Sequence, residues 1–220
     1  MARRAKPVLI AIDGPVAAGK STLARRLAQH FGLRHLDSGM LYRATTARVL
    51  REGGDPTVPA VAEAAARALT EADLAAPDLR DEAVGQAASV VAAMPAVRGA
   101  LLAYQRAFAA LPPGAVIDGR DIGTVVCPDA PYRLFLTASV TVRAERRYRE
   151  LKARGEEATV ERVKKELVER DERDRGRAVA PLKPAEDAFV LDTTGLDVEA
   201  VFRAALDYIE ARGGPEQRQG

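Results

Sequence analysis

The residues with the clearest chemical potential lie near the start of the chain, at Gly14-Pro15-Val16-Ala17-Ala18-Gly19-Lys20-Ser21-Thr22. The spacing G-x-x-x-x-G-K-S aims several backbone N–H groups at one anion, because glycine lets the chain turn tightly enough to point them inward. Lys20 would neutralise the β- and γ-phosphates of a bound nucleotide, and the Ser21 hydroxyl would complete the shell of a Mg²⁺ ion. Ahead of this loop, Val8-Leu9-Ile10-Ala11-Ile12 reads as a buried parallel strand. Behind it, Leu23 and Leu27 stand four apart with Ala24 and Ala28 beside them, the pattern of a helix whose positive end faces the loop. Strand, loop and helix together define a nucleoside triphosphate site. They leave the second substrate open.

A second candidate is Asp118-Gly119-Arg120-Asp121, delivered by the apolar run Ala115-Val116-Ile117. In open α/β sheets the C-terminal end of a strand is where ligands bind. A carboxylate placed there can serve a metal-bound water. Two carboxylates bracketing an arginine are costly to crowd together without a ligand or an ion.

The third candidate is the charged stretch from Arg143 to Arg177. Such a run ordinarily covers a solvated helix face, and the i,i+4 pairs Glu161–Lys165, Glu166–Arg170 and Glu169–Arg173 suit one. Arg170, Arg173, Asp174 and Arg177 nevertheless recur at three- and four-residue spacing, so they share a face as long as the helix lasts. With Gly155 and Gly176 as hinges, the segment reads as a mobile basic lid that excludes water and neutralises a transferring group. Arg43, early in a helix expected from Met40 to Arg51, opposes the helix dipole and hints at an anionic partner. His30 and His35 lack metal-like spacing and read as structural, and spacing alone gives Ser89 and Arg98 no function.

The elements that must position these groups follow from periodicity. Leu33–Leu36 is a short second strand, and Asp37-Ser38-Gly39 offers caps for the helix that follows. Gly53-Gly54-Asp55-Pro56 breaks the chain. From Val58 to Ala110 the sequence is alanine-rich without a strand pattern, and about three short helices are expected, with Pro77 and Pro95 as punctuation. Tyr132–Leu136 and Ala188–Asp192 are the fourth and fifth strands, and a helix from Val198 to Arg212 buries Val201, Leu206 and Ile209. The fold class is therefore α/β, a three-layer P-loop fold on a five-stranded parallel sheet, with a small helical insert and a helical lid.

Bulk properties remove several function classes. The 220 residues carry 33 basic and 31 acidic side chains, a formal charge of +2, which argues against a general nucleic-acid binder. The single Cys127 excludes an internal disulfide or a cysteine zinc cluster and suits a reducing cytoplasm. No run approaches the roughly 18–20 apolar residues of a membrane span. The basic residues 1–7 read as a frayed start rather than a targeting segment, and the glycine- and glutamine-containing tail as disordered.

Taken together, the motifs resemble the nucleoside monophosphate kinases, and among them the bacterial cytidylate kinases. The resemblance covers nearly the whole chain. It rests on Ile12-Asp13-Gly14-Pro15, on Leu36-Asp37-Ser38-Gly39 with Tyr42-Arg43, and on Asp118 through Val126. Arg170 through Arg175 and Arg177-Ala178-Val179-Ala180-Pro181-Leu182 complete it. The resemblance implies transfer of the ATP γ-phosphoryl group to CMP or dCMP with Mg²⁺. A monomer is expected, with neither nucleic acid nor membrane as a partner.

On this resemblance Ser38, Arg43 and Arg120 surround the acceptor nucleotide, Ser89, Arg98 and Asp121 read the cytosine, and Arg170 and Asp174 face the sugar. Arg177 is the lid arginine that reaches phosphate, so Lys20, Arg120, Arg170 and Arg177 form the catalytic set. Asp121 makes chemical sense as a cytosine reader, since a carboxylate can accept from the amino group that uracil lacks. The implied division is a core of residues 1–55, 111–142 and 178–220, an acceptor-binding insert of 56–110 and a lid of 143–177. The insert lacks the extra strands that some family members carry between Asp73 and Ala83.

Other acceptors (AMP, UMP, shikimate) remain open to a small-molecule P-loop kinase. A nucleotide-hydrolysing switch lacks a guanine-reading N-K-x-D motif, and a nucleic-acid patch at 143–177 lacks stacking aromatics. Lys20→Ala is expected to cut turnover by orders of magnitude in a protein that still folds. Steady-state kinetics beside a thermal melt checks this, and near-normal turnover would remove Lys20 from its role.

Overall fold

The strand that leads into the phosphate loop, β1 (Val8–Asp13), is the middle member of a five-stranded sheet ordered β2-β3-β1-β4-β5 in the computed structural model, which describes residues 7–215. The other strands are β2 (Arg34–Asp37), β3 (Gly114–Gly119), β4 (Tyr132–Thr137) and β5 (Phe189–Asp192). β1 pairs in parallel with β3 from Val8↔Gly114 to Asp13↔Gly119 and with β4 from Ile10↔Tyr132 to Asp13↔Phe135. The expected frayed start and most of the expected disordered tail lie outside the described residues.

Parallel strands covered on both faces must be apolar throughout, and Ile10, Ala11, Ile12, Ala115, Val116 and Ile117 are all fully buried. Helix α1 (Lys20–Phe31) presents Leu23, Ala24, Leu27 and Ala28 to the sheet. The last helix, α9 (Val198–Glu210), adds Val201, Ala205 and Ile209 to the same cluster, with Leu206 half-buried at its margin. Asp197 caps α9 by accepting from the Ala200 N–H at 2.7 Å.

In-register parallel pairing has one consequence for function. It brings Asp13, Gly119 and the end of β4 to a single edge of the sheet. There the chain leaves β1 at Gly14 with φ +148°, and a Cβ at this position would stand 2.1 Å from the Leu136 carbonyl oxygen. Only glycine fits, because both the backbone angle and the approach to β4 exclude a side chain.

The charged stretch forms two helices, α7 (Val140–Ala153) and α8 (Val160–Arg175), which pack through Ala144, Leu151, Val163 and Leu167. Gly155, between them, takes φ +78°, whereas Gly176 at the end of α8 has φ −80°, an ordinary conformation. Arg162–Glu166 and Lys165–Glu169 are ion-paired along α8. Such exposed pairs contribute little to stability.

The backbone divides into two compact units, one of residues up to Leu36 and from Ala109 onward, the other Asp37–Phe108. The second holds α2 (Ser38–Arg51), α3 (Pro59–Arg67), α4 (Glu71–Leu74), a 3₁₀ turn at Pro77–Arg80, α5 (Glu82–Val91) and nearly all of α6 (Pro95–Ala109). One expectation changes here. The region after Val58 holds four α-helices and a 3₁₀ turn rather than about three helices, because Thr70 caps an extra turn and Pro77 starts another. The compact helical unit begins at Asp37, at the start of α2. Leu41, Tyr42, Ala44 and Ala47 on α2 find their apolar partners on α3, α5 and the 3₁₀ turn. No single described helix is long and apolar enough to cross a membrane.

Asp73 ties this unit together. Its buried carboxylate accepts from Arg48 and Arg51, each at 2.9 Å, and from the Thr70 backbone N–H and hydroxyl. Burial opposes the charge, but the Thr70 and arginine donors outweigh it and hold the carboxyl down at about 2. Its folded value is depressed, so its stabilisation is present above the ordinary value of 3.8 and is lost as pH falls toward 2. Asp73→Asn is expected to lower stability at pH 7 by about 3 kcal/mol, with the gap to wild type closing below that window. Urea unfolding at a series of pH values measures both.

Candidate active site

The phosphate loop closes on itself. Lys20, the first residue of α1, is buried and donates its Nζ to the Pro15 carbonyl at 2.8 Å across the loop. Gly19 caps the helix from a left-handed conformation, and Ala17 also carries a left-handed φ of +60°. Successive reversals of this kind point neighbouring N–H groups to one side and make an anion-binding concavity.

Ser21, next on α1, donates its hydroxyl to Asp118 Oδ2 at 2.6 Å. The other oxygen of Asp118 hydrogen-bonds His35 Nε2 at 2.7 Å. A hydroxyl beside a carboxylate is an all-oxygen, hard donor pair. It suits Mg²⁺, which keeps waters and substrate phosphates in its shell rather than taking an all-protein cage. Among the described residues no group of three or more His, Cys, Asp or Glu is arranged to hold a metal ion. His35 reads as structural from sequence; its contact with Asp118 arises only from the neighbouring placement of β2 and β3.

Beyond β3, Arg120 Nε donates to Asp174 Oδ2 at 2.9 Å and its Nη1 to the Gly119 carbonyl at 3.1 Å. Arg177 donates to the other oxygen of Asp174. Asp174 is 1% exposed. Burial works against its charge, yet Arg120, Arg177 and Arg170 together hold its carboxyl below the usual carboxylate range. The structure thus gathers Arg120, Asp174 and Arg177 from two distant segments. Arg177 lies past the end of α8, so the shared face comes from the turn after the helix and not from continued helical spacing. Asp121 is buried and opens one π-helical turn, Ile122–Val126.

Arg143 was legible only as part of a charge run. It is 1% exposed, donates Nε to the Ala138 carbonyl at 3.0 Å and Nη1 to the Val16 carbonyl at 3.3 Å, and forms a two-pronged pair with Asp171 at 2.6 and 3.2 Å. One guanidinium therefore joins the residue just after β4, the phosphate loop and α8. Beside the loop lies a cavity of about 460 Å³, lined by Ala17, Gly19, Thr22, Arg146, Thr193 and Val198 among others. Arg146 donates to the Thr193 hydroxyl at 2.9 Å and carbonyl at 2.7 Å, and that hydroxyl donates to the Ala18 carbonyl at 3.2 Å. Motif spacing signals neither residue.

The remaining expected residues belong to the helical unit. Ser38 opens α2 after Asp37, whose side chain accepts from the Gly39 N–H at 3.0 Å. Arg43 donates to the Leu79 carbonyl at 2.9 Å, and Gly85 of α5 leaves room for its guanidinium: a Cβ there would stand 2.7 Å from Arg43 Nη2. Ser89 lies one turn beyond Gly85 and is buried. Arg98 of α6 donates to the Ala92 carbonyl at 3.2 Å and lies 5.9 Å from the centroid of the Tyr42 ring.

A parallel sheet whose central strand opens into a lysine-bearing phosphate loop, with a serine–aspartate pair and aspartate-paired arginines at the same edge, defines a P-loop phosphotransferase. The sequence model of the cytidylate kinase family matches residues 10–211, and the chain belongs to that family. The cytidylate kinase of Methylobacterium sp. (strain 4-46) is 60% identical over 205 residues, covering 93% of this chain and 98% of that protein. The cytidylate kinase of Paramagnetospirillum magneticum (strain AMB-1) is 58% identical over 207 residues, with coverage of 93% and 98%. A crystal structure of an uncharacterized protein from Eubacterium ventriosum ATCC 27560 shares the fold, with a TM-score of 0.56 at 15% identity over 94% of this chain and 99% of that one.

Asp174→Asn leaves Arg120 and Arg177 facing a neutral amide that accepts on one side only. A stability loss of about 3 kcal/mol is expected. Denaturant unfolding measures it, and a change under about 0.5 kcal/mol would show that the arginines are held by other partners.

Proposed function

We propose that this chain transfers the γ-phosphoryl group of ATP to CMP or dCMP, giving CDP or dCDP and ADP. The observation that carries the reading is the phosphate loop with its buried lysine at the sheet edge that also bears Asp118, Arg120 and Asp121, in a chain of the cytidylate kinase family.

Residues 14–22 bind the donor phosphates through backbone N–H groups, and Lys20 exchanges its bond to Pro15 for phosphate oxygen. The cavity beside Arg146 and Thr193 takes the donor's base; its volume lies in the range that small ligands occupy. Ser21 would hold Mg²⁺ from the protein side with Asp118 ordering its waters, and the ion would supply neutralisation of the β- and γ-phosphate charge. Ser38, Arg43 and Arg120 take the acceptor phosphate, while Ser89, Arg98 and Asp121 read the cytosine. Asp121 fits that role because its acceptor oxygens match the amino group of cytosine. Arg170 and Asp174 take the sugar, Asp174 also keeping Arg120 and Arg177 extended. Residues 143–177 act as the lid over the donor. Little covalent chemistry falls to the protein. Rate comes from holding two nucleotides in line and from guanidinium and ammonium charge around the transferring group.

A coupled ADP-release assay over CMP, dCMP, UMP, AMP and shikimate tests this directly. CMP and dCMP are expected to lead. Preference for another acceptor, or ATP hydrolysis that ignores the acceptor, would overturn the reading in favour of a different small-molecule kinase or a nucleotide switch.

A further inference from the structure

We propose that Asp13 is a positioning residue for phosphoryl transfer, its carboxylate clamping the backbone of the turn that carries Arg120 and Asp121 to the root of the phosphate loop. The inference rests on the function proposed above.

Asp13 is the last residue of β1, directly before Gly14, and is 4% exposed. Its Oδ1 accepts the Ile122 N–H and its Oδ2 the Gly123 N–H, both at 2.8 Å. These amides belong to the first residues of the π-helical turn, where backbone donors lack partners within the turn. Asp121 stands at the capping position, yet its side chain makes no capping bond there. Asp13 therefore does the work of a cap from another strand, more than a hundred residues away. The same two bonds bind the turn that reads the acceptor to the loop that holds the donor. Geometry between two reactants is the quantity that in-line transfer depends on, and a displacement of about 1 Å can cost about a hundredfold in rate.

Burial drives the Asp13 carboxyl up to about 7, with the Ile122 and Gly123 amides pulling it down, Asp121 pushing it up and Lys20 lowering it. Of the other nearby charges, Asp118 on β3 is engaged by Ser21 and His35, and the aliphatic stem of Arg133 on β4 borders Gly123. The clamp thus changes charge near neutrality. Ionisation strengthens both bonds, since charge-assisted hydrogen bonds are about twice as strong as neutral ones. Asparagine keeps the shape but offers one oxygen, and its amide sets two donors against the remaining N–H.

The test compares wild type, Asp13→Asn and Asp13→Ala. For Asp13→Asn, kcat/KM for CMP is expected to fall about tenfold to a hundredfold while the KM for ATP changes less than about twofold. The wild-type pH profile for CMP should contain a component near 7 that the asparagine variant lacks, over and above the titration of the substrate phosphates shared by both. A folded asparagine variant with wild-type kcat/KM for CMP would overturn the proposal. Should both variants fail to fold, amide hydrogen exchange of the wild type decides: the Ile122 and Gly123 amides should be protected like the amides of the central strands, and fast exchange at both would refute the clamp. If wild type prefers another acceptor, the substrate reading fails by itself, and the same KM comparison is made with that acceptor.

Discussion

A charge removed from water must be met within hydrogen-bonding distance, or its burial costs several kcal/mol. The edge of this sheet is built around that constraint. Asp13 meets two amides, Asp118 meets Ser21 and His35, Asp171 meets Arg143, and Asp174 meets Arg120 and Arg177. All but the Asp174–Arg177 contact join segments that the chain keeps apart. The partners are what hold the phosphate loop, the turn after β3 and α8 in register, so the site and the fold depend on the same contacts.

This arrangement separates two kinds of work. The apolar cluster of α1, α9 and the sheet drives folding and places the strand ends together, but it is non-directional. The buried charges add direction. Arg143 shows the difference, since its planar guanidinium reaches the Ala138 carbonyl, the Val16 carbonyl and Asp171 at once. A lysine could not reproduce that fork. Fixed dipoles and charges of this type are also what phosphoryl transfer requires, because its transition state asks for stabilisation more than for covalent chemistry.

The helical unit follows the same logic on a smaller scale. Asp73 gathers Arg48, Arg51 and Thr70 where alanine-rich helices bury little area per residue. Small side chains give close helix approach but limited apolar burial, so a polar hub carries part of the cohesion. Arg43 and Arg98 are likewise held by carbonyls, at Leu79 and Ala92, which orders their long side chains.

What the sequence determined by itself was local. The phosphate loop, its flanking strand and helix, the five strands, the helical insert and the family motifs were legible because they depend on spacing within a few residues. The helical count was not, since alanine-rich stretches carry weak periodicity, and neither were the packing partners of α2 on α3 and α5. Tertiary structure alone decided that His35 touches Asp118, that Arg146 lines a cavity with Thr193, that Arg143 answers Asp171 and that Asp13 caps a turn from another strand. The reason is physical. Those contacts span tens of residues to more than a hundred, and it is the in-register parallel sheet, with the packing of α7 on α8, that brings their ends together.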